Sequence, residues 1–381
     1  MTNHLLPKWF RDACIILLIT GALGGLIEVG IRIVIRLQTQ SWPVTEAVSF
    51  DTGIRELLRL YRRHPFLNTA PHEGSRVATF GKEASLNSLG YRSPERDLKK
   101  APGKIRVLCS GGSTTFDTLA EDDAHTWPWE METTLRDRGV DLEVFNAGFP
   151  GWSSLENLIS LEIRDVDLKP DIVVLFQGIN DLQPAAHQPF DRQYEHGHAE
   201  RCVAVLGFNR KRLPWFEHSL FFEKSRALVL GKRNLWKWSP GLSAVEEQIP
   251  EIPQAALQTF ERNIRSFISI ARSNNSKVIL ATQFIRIRKD HVKADRAHLE
   301  EWIPGLNPSN IPSQLDRINV VLKELSTSDS VILADVAQDV ALDDSDLGDP
   351  MHFSASGSRK MADYMAQSIE KVLKDQEIIA H

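Results

Sequence analysis

Cysteine is scarce in this chain, three in 381 residues, and none of the three stands where a disulfide framework would need it. Cys14 falls in an apolar run, Cys109 in a stretch that reads as a buried strand, and Cys202 has no partner in the sequence pattern. A small stapled fold is excluded, and the redox compartment is left open. Excess positive charge is also missing: 45 Lys and Arg stand against 50 Asp and Glu, a formal net charge of -5. Nucleic-acid binding requires a basic footprint, so no nucleic-acid partner is expected. What is present is ordinary globular material, 42% hydrophobic and 25% charged, enough for one large or two modest domains.

Long uncharged hydrophobic runs are short in supply too, and the N-terminus holds the one that matters. Lys8, Trp9 and Arg11 precede the run Ala13–Ile27, and Glu28, Arg32 and Arg36 punctuate the apolar residues beyond it. As a helix rising 1.5 Å per residue the run covers about 22 Å, against a hydrocarbon core of roughly 30 Å. A span must therefore recruit its flanks to about Val34, with Glu28 and Arg32 pairing one turn apart and Lys8 and Arg32 reaching for the interfaces. A single membrane anchor over residues 1–37 is the expectation. A cleaved signal peptide is one alternative, although no Ala-x-Ala site is present, and a buried core helix is another. Basic residues flank both ends, so charge does not set an orientation. Gly21 and Gly25 have the spacing of packed membrane helices, which leaves the oligomeric state unknown.

Residues 38–103 read as a juxtamembrane arm. They carry Arg55, Arg59, Arg62 and Arg63, a set suited to anionic headgroups or to plain solvation. Strand and helix then alternate. The apolar alternation from Ile105 predicts a buried strand; helix follows at Thr126–Arg138, strand at Leu142–Phe145, helix at Leu155–Ile163 and strand at Ile172–Phe176. Later come a helix at Ala255–Ser273, strands at Lys277–Thr282 and Val331–Ala334 around a helix at Pro312–Leu325, and a last helix at Ser356–Leu373. This alternation predicts an α/β fold, a three-layer α/β/α sandwich about a mostly parallel sheet, over residues 104–375. Residues 182–253 break the pattern. Their Trp215, Phe216, Phe221, Phe222, Trp236 and Trp238 fit either a wall over the sheet edge or a small satellite core.

Polar turns follow the strand ends, where open α/β sheets bind ligands. Gly111-Gly112-Ser113 ends the first strand, Asn146-Ala147-Gly148-Phe149-Pro150-Gly151 the second and Gly178-Ile179-Asn180-Asp181 the third, while Asp349-Pro350-Met351-His352 precedes the final helix. A serine hydroxyl is a poor nucleophile at neutral pH and needs a base, which needs a group to fix its tautomer and stabilise its cation. Ser113, His352 and Asp349 are candidates for those three roles. The developing oxyanion needs fixed donors, for which the N–H groups of Ser113 and Gly151 and the amide of Asn180 are candidates. Asp181 is expected to hold a turn, and Asp335 to be a strand-end structural group. His187, His196 and His198 lack ligand spacing with carboxylates or cysteines, so no metal is expected, and the serine mechanism requires no cofactor.

These blocks together resemble the SGNH or GDSL-like hydrolase family, named for a serine, glycine, asparagine and histidine in that order. The resemblance assigns Ser113, Gly151, Asn180 and His352 to the four blocks, with Asp349 beside His352, and spans about residues 104–372. It implies the SGNH form of the α/β/α sandwich, flavodoxin-like in its sheet. Gly112 is a departure, since the family's first block usually reads Gly-Asp-Ser. The sharp G-x-S-x-G elbow of α/β-hydrolases is absent from Ser113.

The resemblance implies a serine esterase acting through an acyl-enzyme on an acylated small-molecule, glycan or lipid substrate. By analogy with envelope members of the family, the O-acetyl group of a glycan is the expected substrate and the catalytic domain is placed outside the cytoplasmic membrane. An O-acyltransferase, a lipase or thioesterase, and a silent glycan-binding scaffold are the alternatives.

Overall fold

The structure, a computed structural model, describes residues 8–39, 58–62, 64, 66–67, 69–79, 82–194, 219, 248–327 and 331–374. Contacts divide the chain into two units, Met1–Ser49 with Ala204–Ala244, and Phe50–Val203 with Val245–His381. In the first unit the apolar N-terminal run becomes one continuous helix, α1 (Lys8–Thr39). Glu28 and Arg32 form the expected ion pair, at 2.7 Å, and Ser219 also donates to Glu28, at 3.0 Å. Ile15, Ile16, Ile19, Leu23 and Leu26 are exposed. No helix among the described residues is long and apolar enough to cross a membrane. The expected membrane-spanning helix is thus not supported: the uncharged run is short of a bilayer's depth, and Glu28 and Arg32 enter the helix just beyond it.

The second unit begins with two antiparallel hairpins, β1 (Tyr61–Arg62) with β2 (Ala70–Pro71) and β3 (Arg76–Thr79) with β4 (Lys82–Ser85). The main sheet follows, made of β5 (Ile105–Gly111), β6 (Leu142–Asn146), β7 (Ile172–Phe176), β8 (Lys277–Ala281) and β9 (Val331–Ala334). All its pairings are parallel, in the order β6-β5-β7-β8-β9. The connections are helical. After β5 come α2 (Ser113–Phe116) and α3 (Trp127–Asp137), after β6 α4 (Ser154–Ile163), after β7 α5 (Leu182–Ala186) and α6 (Gln254–Ser273), after β8 α7 (Val292–Trp302) and α8 (Ile311–Leu325), and after β9 α9 (Val336–Asp339) and α10 (Ala355–Lys374).

Side chains alternate across a strand, and a parallel sheet buries both faces. Leu108, Val173, Leu175 and Leu280 pack on one face against Leu161 of α4, Phe260 and Ile264 of α6 and Ile318 of α8. Val107, Cys109, Val174 and Ile279 pack on the other against Trp127 and Met131 of α3 and Met361 and Met365 of α10. Each such aliphatic or aromatic side chain contributes about 1.5–3 kcal/mol by leaving water. The result is the expected α/β/α sandwich. Its chain runs from β5 to β6 on one side, then back past β5 to β7 on the other, and this reversal opens a crevice at the strands' carboxyl ends.

Candidate active site

Sterics decide the turn after β5. A Cβ on Gly111 would run into the Phe176 carbonyl oxygen and the Thr115 hydroxyl, so only glycine lets the strand close against β7 before turning into α2. Ser113 is the first residue of α2 and half-buried. The turn is pinned from outside as well. The Trp127 indole N–H donates to the Thr114 carbonyl at 3.0 Å, and the Gln283 amide donates to the Thr114 hydroxyl at 2.8 Å.

Ser113 Oγ lies 2.8 Å from His352 Nε2, and His352 Nδ1 lies 2.7 Å from Asp349 Oδ2. The other Asp349 oxygen accepts from the backbone N–H groups of Met351 and His352, both at 2.9 Å. The Asp-x-x-His spacing therefore folds into a tight turn in which the acid fixes both the backbone and the ring of its histidine. With Nδ1–H donated to the carboxylate, the neutral imidazole leaves Nε2 as an acceptor for the serine proton. Burial works against both charges, yet their attraction wins: Asp349 is held far below the usual carboxylate range and His352 above the ordinary histidine value.

The Asn180 side chain lies against the serine turn at Gly112. Its Nδ2 donates to the Trp152 carbonyl at 2.8 Å, which sets the orientation of the amide and leaves its second N–H for another acceptor. Gly151, just ahead of Trp152, has φ +85°, a left-handed conformation that favours glycine. A Cβ on Gly112 would run into Asn180 Nδ2 and lie 3.3 Å from the Trp152 oxygen. The serine, glycine and asparagine blocks thus meet at one point.

A layer of buried polar groups holds them there, and most of it escapes a motif search. Asp181 is expected to hold a turn, and it accepts from the Ser154 hydroxyl, from Ser154 N–H at 3.0 Å, from the Gln177 amide at 2.9 Å and from Tyr194 OH at 3.2 Å. Burial pushes its carboxyl up to about 6 against those donors. Asn157 of α4 joins Ser110 of β5, at 2.8 Å, to Gln177, at 3.1 Å. Gln283, beyond β8, accepts from Ile179 N–H at 2.7 Å while it donates to Thr114, and its own backbone is held at both ends by the Asn319 amide. The only signal for Gln283 in the sequence is a polar residue just past a strand end. Asp335 acts as expected, accepting from Thr282 and pairing with Lys323 at 2.6 Å.

Parts of the segment read as an arm touch this layer. Thr69 accepts from the Trp152 indole at 2.9 Å, and buried Arg92 donates to the Phe116 and Asp117 carbonyls. His196, His198, Cys202 and the aromatics Trp215 to Trp238 lie outside the described residues. Among the described residues, no group of three or more His, Cys, Asp or Glu is placed to hold a metal ion.

A hydroxyl, an imidazole and a carboxylate in line at the carboxyl edge of a parallel sheet form the arrangement of a serine-nucleophile acyl-transfer enzyme. Residues 109–360 match the GDSL-like lipase/acylhydrolase family. The chain belongs to that family and is a hydrolase of ester bonds. No curated protein matches it. Its fold is similar to crystal structures of a GDSL-like lipase from Bacteroides thetaiotaomicron (14% identity, 73% of this chain and 93% of that one, TM-score 0.41) and of a lipase/acylhydrolase from Enterococcus faecalis (17%, 70% and 96%, 0.42). It is also similar to an acetylxylan esterase from Geobacillus stearothermophilus (16%, 70% and 94%, 0.41).

Proposed function

We propose that the chain is a serine esterase in which Ser113 attacks the ester carbonyl while His352 Nε2 takes its proton. Asp349 stabilises the imidazolium, and Asn180 with the N–H groups of Ser113 and Gly151 receives the oxyanion. His352 then returns the proton to the leaving alcohol, and a water molecule activated by the same base releases the acid. The observation that carries this reading is the Ser113–His352–Asp349 line, at 2.8 and 2.7 Å. A serine-reactive fluorophosphonate is expected to label the wild type and not Ser113→Ala; equal labelling of both sinks the assignment.

For the substrate we favour O-acetyl groups of an envelope glycan. The support is the family resemblance of an apolar N-terminal helix joined to a domain of this kind, an analogy rather than a pocket. Purified chain mixed with an O-acetylated polysaccharide is expected to release acetate detectable by mass. Transfer of acetyl to an added oligosaccharide instead makes the protein an acyltransferase, and a rate rising with acyl-chain length makes it a lipase or thioesterase.

The proposal includes attachment of α1 to a membrane, with the catalytic unit on the extracytoplasmic side. Exposed Ile15, Ile16, Ile19, Leu23 and Leu26 support it, since such a stripe gains free energy by entering lipid. The protein is expected in the membrane fraction of lysed cells, and recovery wholly in the supernatant removes this part.

A further inference from the structure

One buried carboxylate beside the nucleophile has no part in the steps above. Asp117 follows α2 with φ +62°, in the region that disfavours a residue bearing a Cβ, though Asp tolerates it better than most. Its side chain is 1% exposed and reaches two other elements. Oδ2 accepts from the Trp127 N–H, the first residue of α3, at 2.9 Å, and from the Ser358 hydroxyl on α10 at 2.7 Å. The Asp117 N–H donates to the Ser113 carbonyl at 2.9 Å. Since α10 starts just after the His352 turn, one side chain joins the segment that carries the nucleophile to the helix that follows the base.

The surroundings leave that carboxylate incompletely neutralised. Its Oδ1 is buried with no hydrogen-bond partner among the described residues. Arg92, the nearby cation, spends its N–H groups on the Phe116, Asp117 and Glu83 carbonyls and on Asp123. Burial pushes the Asp117 carboxyl up to about 6, against the pull of Ser358, Trp127, Arg92 and His352. Glu130 of α3 also feels it and is pushed up to about 7, chiefly by its own burial. The coupling is mutual: Asp117, like Asp349, raises His352, with Asp349 the stronger.

We propose that Asp117 is a positioning residue for acyl transfer: it locks the Ser113 turn to the helix behind His352 and adds a second negative charge toward the imidazolium. The proposal rests on the serine esterase reading, and its test separates the two. Histidine-labelled full-length chain is titrated by NMR for His352, and kcat and KM for a p-nitrophenyl acetate are measured against pH, in wild type and Asp117→Asn. The amide oxygen can still accept from Trp127 and Ser358, so a folded variant is expected.

Loss of the charge is expected to move the His352 titration, and with it the acid limb of kcat/KM, roughly half a pH unit to the acid side, with KM unchanged. Ser358→Ala, which keeps the charge but frees the tie to α10, is expected to lower kcat about three- to tenfold with a much smaller displacement of the limb. His352 titrating alike in wild type and Asp117→Asn overturns the electrostatic part, and unchanged kcat in Ser358→Ala overturns the tie. A wild type without esterase activity defeats the serine esterase reading, while the NMR comparison still decides whether Asp117 acts on His352.

Discussion

Gly112 stands where the family usually carries aspartate, and in this chain it lies against Asn180. The space a Cβ would take is occupied by the Asn180 amide nitrogen, the group proposed to meet the oxyanion. Gly112→Asp, a return to the family's usual residue, is therefore expected to lower kcat on an activated ester by at least about tenfold, by displacing that donor. Asn180→Ala is expected to lower kcat by about 10², or about 2.7 kcal/mol of transition-state stabilisation, with KM little changed. A Gly112→Asp enzyme faster than wild type contradicts the placement of Asn180. The pH profile follows from His352, whose protonated ring cannot accept the serine proton. Its pKa lies above the ordinary value, so kcat/KM is expected to fall on acidification from a midpoint higher than about 6.5, as measured with an ester that does not itself titrate. Ser113, Gly151 and Asn180 stand out in the sequence because each lies in a short motif after a strand, and Asp349 and His352 because they form a short motif ahead of the last helix. Gln283 and Asp117 do not, since a lone polar residue in a turn becomes meaningful only through partners far along the chain.

At the scale of elements, periodicity predicted the strands and the long helices, because burial on one or both faces imposes a repeat of two or of 3.6 residues. The short pieces carry no such signal. α2, α5, α9 and the hairpins β1–β4 are too brief to show a period, and α7 buries only Asp295 and Leu299, too few to mark a face. What binds the elements into a site is also non-local. Gln283 ties the turn after β5 to the turn after β7, and its loss leaves the buried Ile179 N–H without an acceptor. An unpaired buried donor costs about 1–3 kcal/mol. Gln283→Leu is accordingly expected to lower the unfolding free energy measured by urea denaturation by that much and to reduce kcat as Thr114 and Ile179 loosen.

For the whole molecule, the sequence indicated a parallel sheet but not the order of its strands, which depends on the handedness of crossovers rather than on local pattern. Buried acids give the molecule a signature of its own. Asp117 and Asp181 are both pushed up to about 6 and Glu130 to about 7, above the unfolded values of about 4, and His352 is raised as well. Across this range the folded chain binds more protons than the unfolded one, so the stability these groups contribute is full below about pH 4 and is lost as pH rises through 6 to 7. The thermal midpoint is therefore expected to be higher at pH 5.5 than at pH 8. A midpoint that rises over that interval contradicts the burial of these acids.

Ser113 follows the first strand of the main sheet, and its partner His352 lies 239 residues further on, beyond the last. A chain still emerging from the ribosome has the proposed nucleophile early and the proposed base only after every strand of the main sheet has been made. On the proposed mechanism, hydrolytic power is thus withheld until His352 has been made and folded, and chains terminated before it carry an inert serine. Reactivity at Ser113 consequently reports the age of a chain: a fluorophosphonate added during a pulse of synthesis marks finished molecules and passes over growing ones.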